Sequence, residues 1–236
     1  MTETPPPADV SLGELERLVS GQHHDPHSVL GAHPGPDGVV VRALRPMARS
    51  VQLILDDDRR VPMTHLYQGV FTVTLPDAKV PDYRIATSYS PEGDDETVAE
   101  DPYRFLPQLS EYDLYLIGEG RHEELWQALG AHVREVDQVT GASFAVWAPN
   151  ARGVRVTGDF NFWDGRAFPM RSLGVSGVWE LFIPGVADGA RYKYAVCGID
   201  GVWRDKADPL ARYAELPPAT ASVVFTSAYA WSEVDW

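Results

Sequence analysis

Arg42-Ala43-Leu44-Arg45-Pro46-Met47-Ala48-Arg49-Ser50-Val51 returns later in the chain as Ala145-Val146-Trp147-Ala148-Pro149-Asn150-Ala151-Arg152-Gly153-Val154, with Pro149 standing 103 residues after Pro46. Each copy reads as the end of one apolar run, a Pro-centred turn and the start of another run, the pattern of two short strands joined by a turn. Further matches keep the order. Gly69-Val70-Phe71 pairs with Gly177-Val178-Trp179 at an offset of 108, Tyr83 with Tyr192 at 109, and Asp101-Pro102 with Asp208-Pro209 at 107. Offsets that drift this little are the drift of loop lengths, so one β unit is used twice.

Working outward, residues 39–44, 51–55, 69–76 and 83–86 read as strands of the first unit, with Asp56-Asp57-Asp58 and the acidic 91–96 segment as solvated loops. In the second unit the strands are 143–147, 154–158, 179–183, 192–196 and 222–225. Gly198-Ile199-Asp200-Gly201 carries the Asp-Gly hairpin signal that returns the chain to Val202-Trp203-Arg204. Ser11 and Glu14 have capping-box spacing ahead of Leu12, Leu15, Leu18 and Val19, which predicts a helix over 11–20 ended by Gly21. A second short helix is expected within 119–130, stopped by Gly130. The fold predicted is all-β: two tandem immunoglobulin-like β-sandwiches with short amino-terminal and connecting helices. The boundaries expected are a Pro-rich tail and helix over 1–21, a first sandwich over 22–108, a second over 109–228, and the start of a linker over 229–236.

With 44% hydrophobic residues in 236, the chain has enough apolar mass for two cores. Its net charge of −14 repels nucleic-acid phosphates and anionic membranes, and neutral partners such as glycans fit it better. Cys197 is the one cysteine, so an intramolecular disulfide is excluded and a reducing compartment is expected. The start has neither the basic nor the apolar region of a leader, and no run approaches membrane-spanning length. These features predict a cytoplasmic protein and disfavour an extracellular adhesion domain. The close of the chain, Tyr229-Ala230-Trp231-Ser232-Glu233-Val234-Asp235-Trp236, is apolar enough to predict continuation into something that buries it.

Two stretches invite chemistry. His23, His24, His27 and His33 cluster with Asp25, but Pro26 interrupts them and no His-Glu-x-x-His spacing occurs, so turn histidines are expected and no metal or organic cofactor is placed. The other stretch is Val154-Arg155-Val156-Thr157-Gly158-Asp159-Phe160-Asn161-Phe162-Trp163-Asp164-Gly165. It alternates as a half-buried strand and then breaks into an aromatic and polar loop, with Asp164-Gly165 read as a turn pair that tolerates positive φ. An exposed Asn161, Phe162 and Trp163 suit a sugar, because an indole face covers the C–H side of a pyranose while amides bond its hydroxyls. A core tryptophan beside an ordinary turn has the same spacing.

The sequence resembles the amino-terminal half of bacterial 1,4-α-glucan (glycogen) branching enzymes. The resemblance is carried by Asp25-Pro26-His27-Ser28-Val29-Leu30-Gly31-Ala32-His33, by Phe144-Ala145-Val146-Trp147-Ala148-Pro149-Asn150-Ala151, by the segment from Val156 to Gly165, and by Tyr192-Lys193-Tyr194 followed by Asp208-Pro209. It implies a first sandwich and then a family-48 carbohydrate-binding module. In that family a (β/α)₈ catalytic barrel of the α-amylase superfamily follows, and it needs about 250 residues of its own. No segment here resembles the barrel, so no catalytic residue is assigned and the chain is expected to be inactive alone. By likeness to related glycogen-binding modules, such as that of the AMP-activated kinase β subunit, Trp163, Lys193 and Trp203 are the implied glucan contacts. An asparagine of those modules falls near Ala221 and Ser222 and is missing. The implied partners are an α-1,4-glucan such as glycogen and a catalytic domain beyond this chain. The implied role is to position glucan chains, the alternative being a free-standing glucan-binding module. The same face is either a sugar surface or a surface packed on the barrel.

Overall fold

Leu30-Gly31-Ala32-His33 and Leu129-Gly130-Ala131-His132 open the two sandwiches in the same way in the computed structural model, which describes residues 10–76 and 79–229. Gly31 and Gly130 take φ of 88° and 100°. A Cβ on Gly31 would lie 2.7 Å from the Tyr103 carbonyl oxygen, and one on Gly130 3.1 Å from that of Leu210. Each histidine then folds back, Nε2 of His33 bonding the Leu30 carbonyl and Nε2 of His132 the Leu129 carbonyl, both at 2.9 Å. The repeat therefore starts before the Pro-centred turns that reveal it in sequence.

Helix α1 (Leu12–Ser20) has the expected capping box and ends at Gly21 in the left-handed region. The first sandwich follows as β1 (Gly31–Gly35), β2 (Gly38–Leu44), β3 (Ser50–Leu55), β4 (Arg60–Pro62), β5 (Thr64–Tyr67), β6 (Val70–Leu75), β7 (Tyr83–Ser88) and β8 (Thr97–Glu100). Its sheets run β1-β2-β6-β5 and β4-β3-β7-β8. Helices α2 (Glu111–Gly118) and α3 (Leu125–Ala128) connect to the second sandwich. That comprises β9 (Gly130–Val136), β10 (Val139–Trp147), β11 (Gly153–Gly158), β12 (Arg171–Ser172), β13 (Val178–Pro184), β14 (Arg191–Cys197), β15 (Trp203–Lys206), β16 (Tyr213–Ala214) and β17 (Ser222–Val223). Its sheets run β12-β13-β10-β9 and β11-β14-β17-β16, with β15 also paired to β14. The pairings are antiparallel, as expected of a sandwich whose faces alternate. The all-β architecture is that read from the repeat.

Several details differ from the sequence reading. The connecting helix within 119–130 is only the single turn α3, while α2 forms earlier on a Ser110 capping box. The 222–225 strand is only two residues long. The Asp164-Gly165 pair does not supply the positive φ of its loop, which falls instead on Phe162 and Trp163, at 53° and 61°. The Pro-rich start and the stretch after Tyr229 lie outside the described residues. No described helix is long and apolar enough to cross a membrane.

The two units share apolar contact. One core, including Val39, Val41, Leu53, Phe71 and Ile85, lies inside the first sandwich. The larger core fills the second with Phe144, Val154, Val156, Tyr192 and Tyr194, and it continues through Leu15 and Leu18 of α1 and through Leu30, Leu44 and Tyr103. Phe105 meets Phe182 edge-on with ring centroids 4.8 Å apart. The Tyr103 hydroxyl lies 3.1 Å from the carbonyls of both Ala167 and Pro169. Buried Arg171 and Glu180 pair at 2.8 Å, and Glu180 also accepts from the Gln108 amide at 3.3 Å. Burial raises the Glu180 carboxyl pKa, and the Arg171 guanidinium opposes that rise.

The histidine cluster belongs to this junction. His23 Nδ1 accepts from the Asp25 amide, His24 tilts on Trp179, and His27 meets Tyr103 edge-on at 5.0 Å. Burial, with Arg171 nearby, pushes the His27 imidazole down to about 2. Among the described residues no three His, Cys, Asp or Glu side chains gather to hold a metal ion.

Candidate carbohydrate-binding face

The period-2 alternation of β11 and β14 sorts their side chains between the core and an outer face. Val154 and Val156, with Tyr192 and Tyr194, enter the core. Arg155, Thr157, Lys193, Ala195 and Cys197 therefore share the outer face, in the register Gly153 to Cys197, Arg155 to Ala195 and Thr157 to Lys193. Strand β15 adds Trp203 opposite Cys197 and Asp205 opposite Ala195. Lys193 and Trp203 thus stand on one face, separated by four residues of β14, or about 13 Å along the strand. That is longer than a single pyranose ring.

Trp163 reaches the same end as Lys193 by way of a tight loop. Gly158 is extended, and a Cβ there would lie 2.4 Å from the Arg191 carbonyl oxygen. The Asn161 side chain then closes the loop: its Oδ1 accepts from the Gly158 amide at 2.8 Å and its Nδ2 donates to the Val156 carbonyl at 2.9 Å. The Trp163 amide returns to the Gly158 carbonyl at 2.9 Å. Two consecutive non-glycine residues in the left-handed region store strain, of order 1–3 kcal/mol each. The loop displays Phe162 at 94% exposure and Trp163 at 42%. Its flanks are held by ion pairs, Asp159 with Arg191 at 2.9 Å and Asp164 with Arg166 at 2.7 Å. Hydrogen bonding from these arginines lowers both aspartate pKa values, so both carboxylates stay ionised.

Of the four residues singled out from sequence, Lys193 and Trp203 lie on one face and Trp163 stands at its edge. Asn161 is corrected to a different place: it is buried, and its amide is engaged in building the loop, not exposed to a ligand. Sequence reasoning also missed Thr220, whose hydroxyl accepts from Lys193 Nζ at 2.7 Å. It sits just before Ala221 and Ser222, which are buried, and Ser222 Oγ accepts from the Asp208 amide. Arg155 was passed over too, although its guanidinium carbon lies 4.2 Å from the Trp203 ring centroid.

The aromatic and cationic face thus lies on an antiparallel sandwich joined to a second sandwich of related strand order. The family model described as "alpha-1,4-glucan branching enzyme GlgB, N-terminal domain" matches residues 11–103, and that of "Carbohydrate-binding module 48 (Isoamylase N-terminal domain)" matches residues 128–211. The chain is 59% identical over 236 residues to the 1,4-alpha-glucan branching enzyme GlgB of Frankia casuarinae, covering 97% of this chain and 28% of that protein. It is 59% identical over 235 residues to the Thermobifida fusca enzyme of the same name, covering 98% of this chain and 31% of that one. The chain thus matches the amino-terminal region of 1,4-α-glucan branching enzymes and spans under a third of the length of these relatives. A solved pullulanase from Anoxybacillus sp. LM18-11 complexed with maltotetraose shares 17% identity at a TM-score of 0.36, over 79% of this chain and 25% of that one, too distant a likeness to bear on function.

Proposed function

We propose that this chain is the non-catalytic, glucan-positioning portion of a 1,4-α-glucan branching enzyme. The observation that carries the reading is the placement of Lys193 and Trp203 on one sheet face with Trp163 at its edge. Indole rings there stack on the apolar side of glucose units, and Lys193 with Thr220 bonds their hydroxyls. A net charge of −14 suits an uncharged polysaccharide and opposes polyanions. In the whole enzyme the reading assigns cleavage of an α-1,4 chain and its transfer to a 6-hydroxyl to a separate catalytic domain. The sandwiches, taken as 22–108 and 109–228, would then hold the long donor or acceptor chain. A cytoplasmic location goes with the single buried Cys197.

The test is electrophoresis of the 236-residue chain in gels with and without glycogen, beside Trp163→Ala and Trp203→Ala. Retardation of the parent chain that weakens in both variants supports the face. A folded parent chain that runs alike in both gels contradicts it. Branching activity measured on this chain alone would contradict the non-catalytic assignment.

A further inference from the structure

Arg155 stands between Trp203 and the amino-terminal helix. Its guanidinium carbon lies 4.2 Å from the indole centroid, and its Nη2 donates to the Val19 carbonyl in the last turn of α1 at 3.2 Å. The backbones around it approach closely. A Cβ on Gly21 would lie 2.3 Å from Arg155 Nε, and one on Gly153 would lie 2.0 Å from the Gly21 carbonyl oxygen and 3.3 Å from Trp203 Cη2. Gly165 gives way on the other side, where a Cβ would come within 3.1 Å of the Arg155 Cβ. The α1 cap, β11 and the Trp203 ring therefore form one stack around a single cationic side chain.

That side chain is a poor choice for stability alone. Arg155 is largely buried, its Nε has no hydrogen-bond partner, and desolvation lowers its pKa. Among the described residues it forms no ion pair. A well-packed apolar side chain would fill such a place at least as favourably, since an under-compensated buried charge is destabilising. Its compensation comes from the nearby Asp164 carboxylate, the Val19 carbonyl and the face of Trp203, and the last two tie the helix to the ring's placement.

We propose that Arg155 is a positioning residue of the glucan face: anchored on Val19, it fixes the Trp203 indole and so couples the amino-terminal helix to sugar binding. The inference rests on reading Trp203 as a sugar-stacking residue. A ring already held in place loses less freedom when a ligand stacks on its open side. It follows that glucan affinity of the second sandwich depends on a helix more than 100 residues away in sequence.

The experiment measures glycogen affinity by gel retardation for the full chain and for Arg155→Ala, Arg155→Lys, Trp203→Phe and the Arg155→Ala/Trp203→Phe double variant, with the melting temperature of each. Arg155→Ala is expected to weaken binding about threefold to tenfold, the effect of a cation–π contact. Arg155→Lys recovers part of it, and the loss shrinks in the Trp203→Phe background. Equal losses in both backgrounds, or none in the parent, would overturn the proposal. Should Arg155→Ala fail to fold, Arg155→Gln carries the same cycle. A second readout is the 5-fluorotryptophan NMR resonance of Trp203, which maltoheptaose should shift in the parent and shift less in Arg155→Lys. An identical response in both also overturns it. A parent chain that binds no glycogen refutes the glucan reading itself, a result distinct from binding that ignores Arg155.

Discussion

The Tyr192 hydroxyl donates to the buried Asp208 carboxylate at 2.6 Å. Tyr83 makes the same bond to Asp101 in the first sandwich, at 2.7 Å. Each pair pins the segment that leaves β8 or β15 onto the core, and each aspartate also accepts a backbone amide two residues on, Tyr103 or Leu210. Removing a partner leaves a buried acceptor underused. Tyr192→Phe and Tyr83→Phe should each lower stability by about 1–2 kcal/mol in urea unfolding. Equal stability of both variants with the parent would deny the pairs a structural role.

Much of this was legible in the sequence, and the reasons are specific. Tyr83 with Tyr192 and Asp101 with Asp208 mark the repeat because a buried phenol needs its acceptor in both copies. Strands β1 and β9 were missed because Pro34 and Gly35 in one, and Arg134 and Glu135 in the other, break the alternation. Helix α2 buries no residue fully, so its sequence carries little periodic signal beyond the Ser110 cap. On the face itself, Lys193 and Trp203 were named by likeness to related glycogen-binding modules, and strand register puts them on one side of the sheet. The burial of Asn161 and the stacking of Arg155 were not legible. Both depend on contacts that spacing leaves open: a loop closing on itself, and a helix returning from 136 residues away.

Acid should loosen the junction through His27. Its folded-state pKa is depressed from the ordinary 6.5 to about 2, so its contribution is fully present above pH 6.5 and is lost as pH falls toward 2. The slope is at most about 1.4 kcal/mol per pH unit for one group. Burial raises the pKa values of Asp101 and Asp208, which gives the opposite sign: their protonation favours the folded state as pH falls. His27→Phe keeps an edge-on partner for Tyr103 and removes the titration. Urea midpoints between pH 7 and 5 should fall less steeply for this variant than for the parent, and parallel slopes would contradict the assignment.

Asn161 holds the aromatic loop through both ends of its buried side-chain amide. Asn161→Ala removes both loop bonds and should destabilise the chain by about 2–3 kcal/mol. It should also weaken glycogen retardation at temperatures where the variant remains folded, because Phe162 and Trp163 lose their left-handed backbone. Full retardation in a folded Asn161→Ala chain would mean that the loop geometry is irrelevant to binding.

The contact of Gly153 with Gly21 sets the distance between α1 and β11. Gly153→Ala drives a methyl group into the Gly21 carbonyl, where no flexible side chain can yield. A loss of about 1–3 kcal/mol is expected from overpacking, read as a lowered melting temperature. Gly185→Ala is not a neutral control, since Gly185 has φ 75°. Gly13→Ala is the comparison instead: a Cβ there meets only the far end of Arg17 at 3.6 Å, and within α1 the change should hold or raise the melting temperature. If both variants melt alike, the close approach does not constrain the fold.

The most direct measurement of the central claim is retardation of the parent chain in glycogen gels against Trp163→Ala and Trp203→Ala, with thermal melts showing that all three are folded. The outer face of β11, β14 and β15 predicts clear retardation of the parent and a marked loss in each variant. Retardation unchanged by both substitutions would place any glucan site elsewhere on the chain. A folded parent that ignores glycogen would remove these tryptophans from sugar recognition altogether.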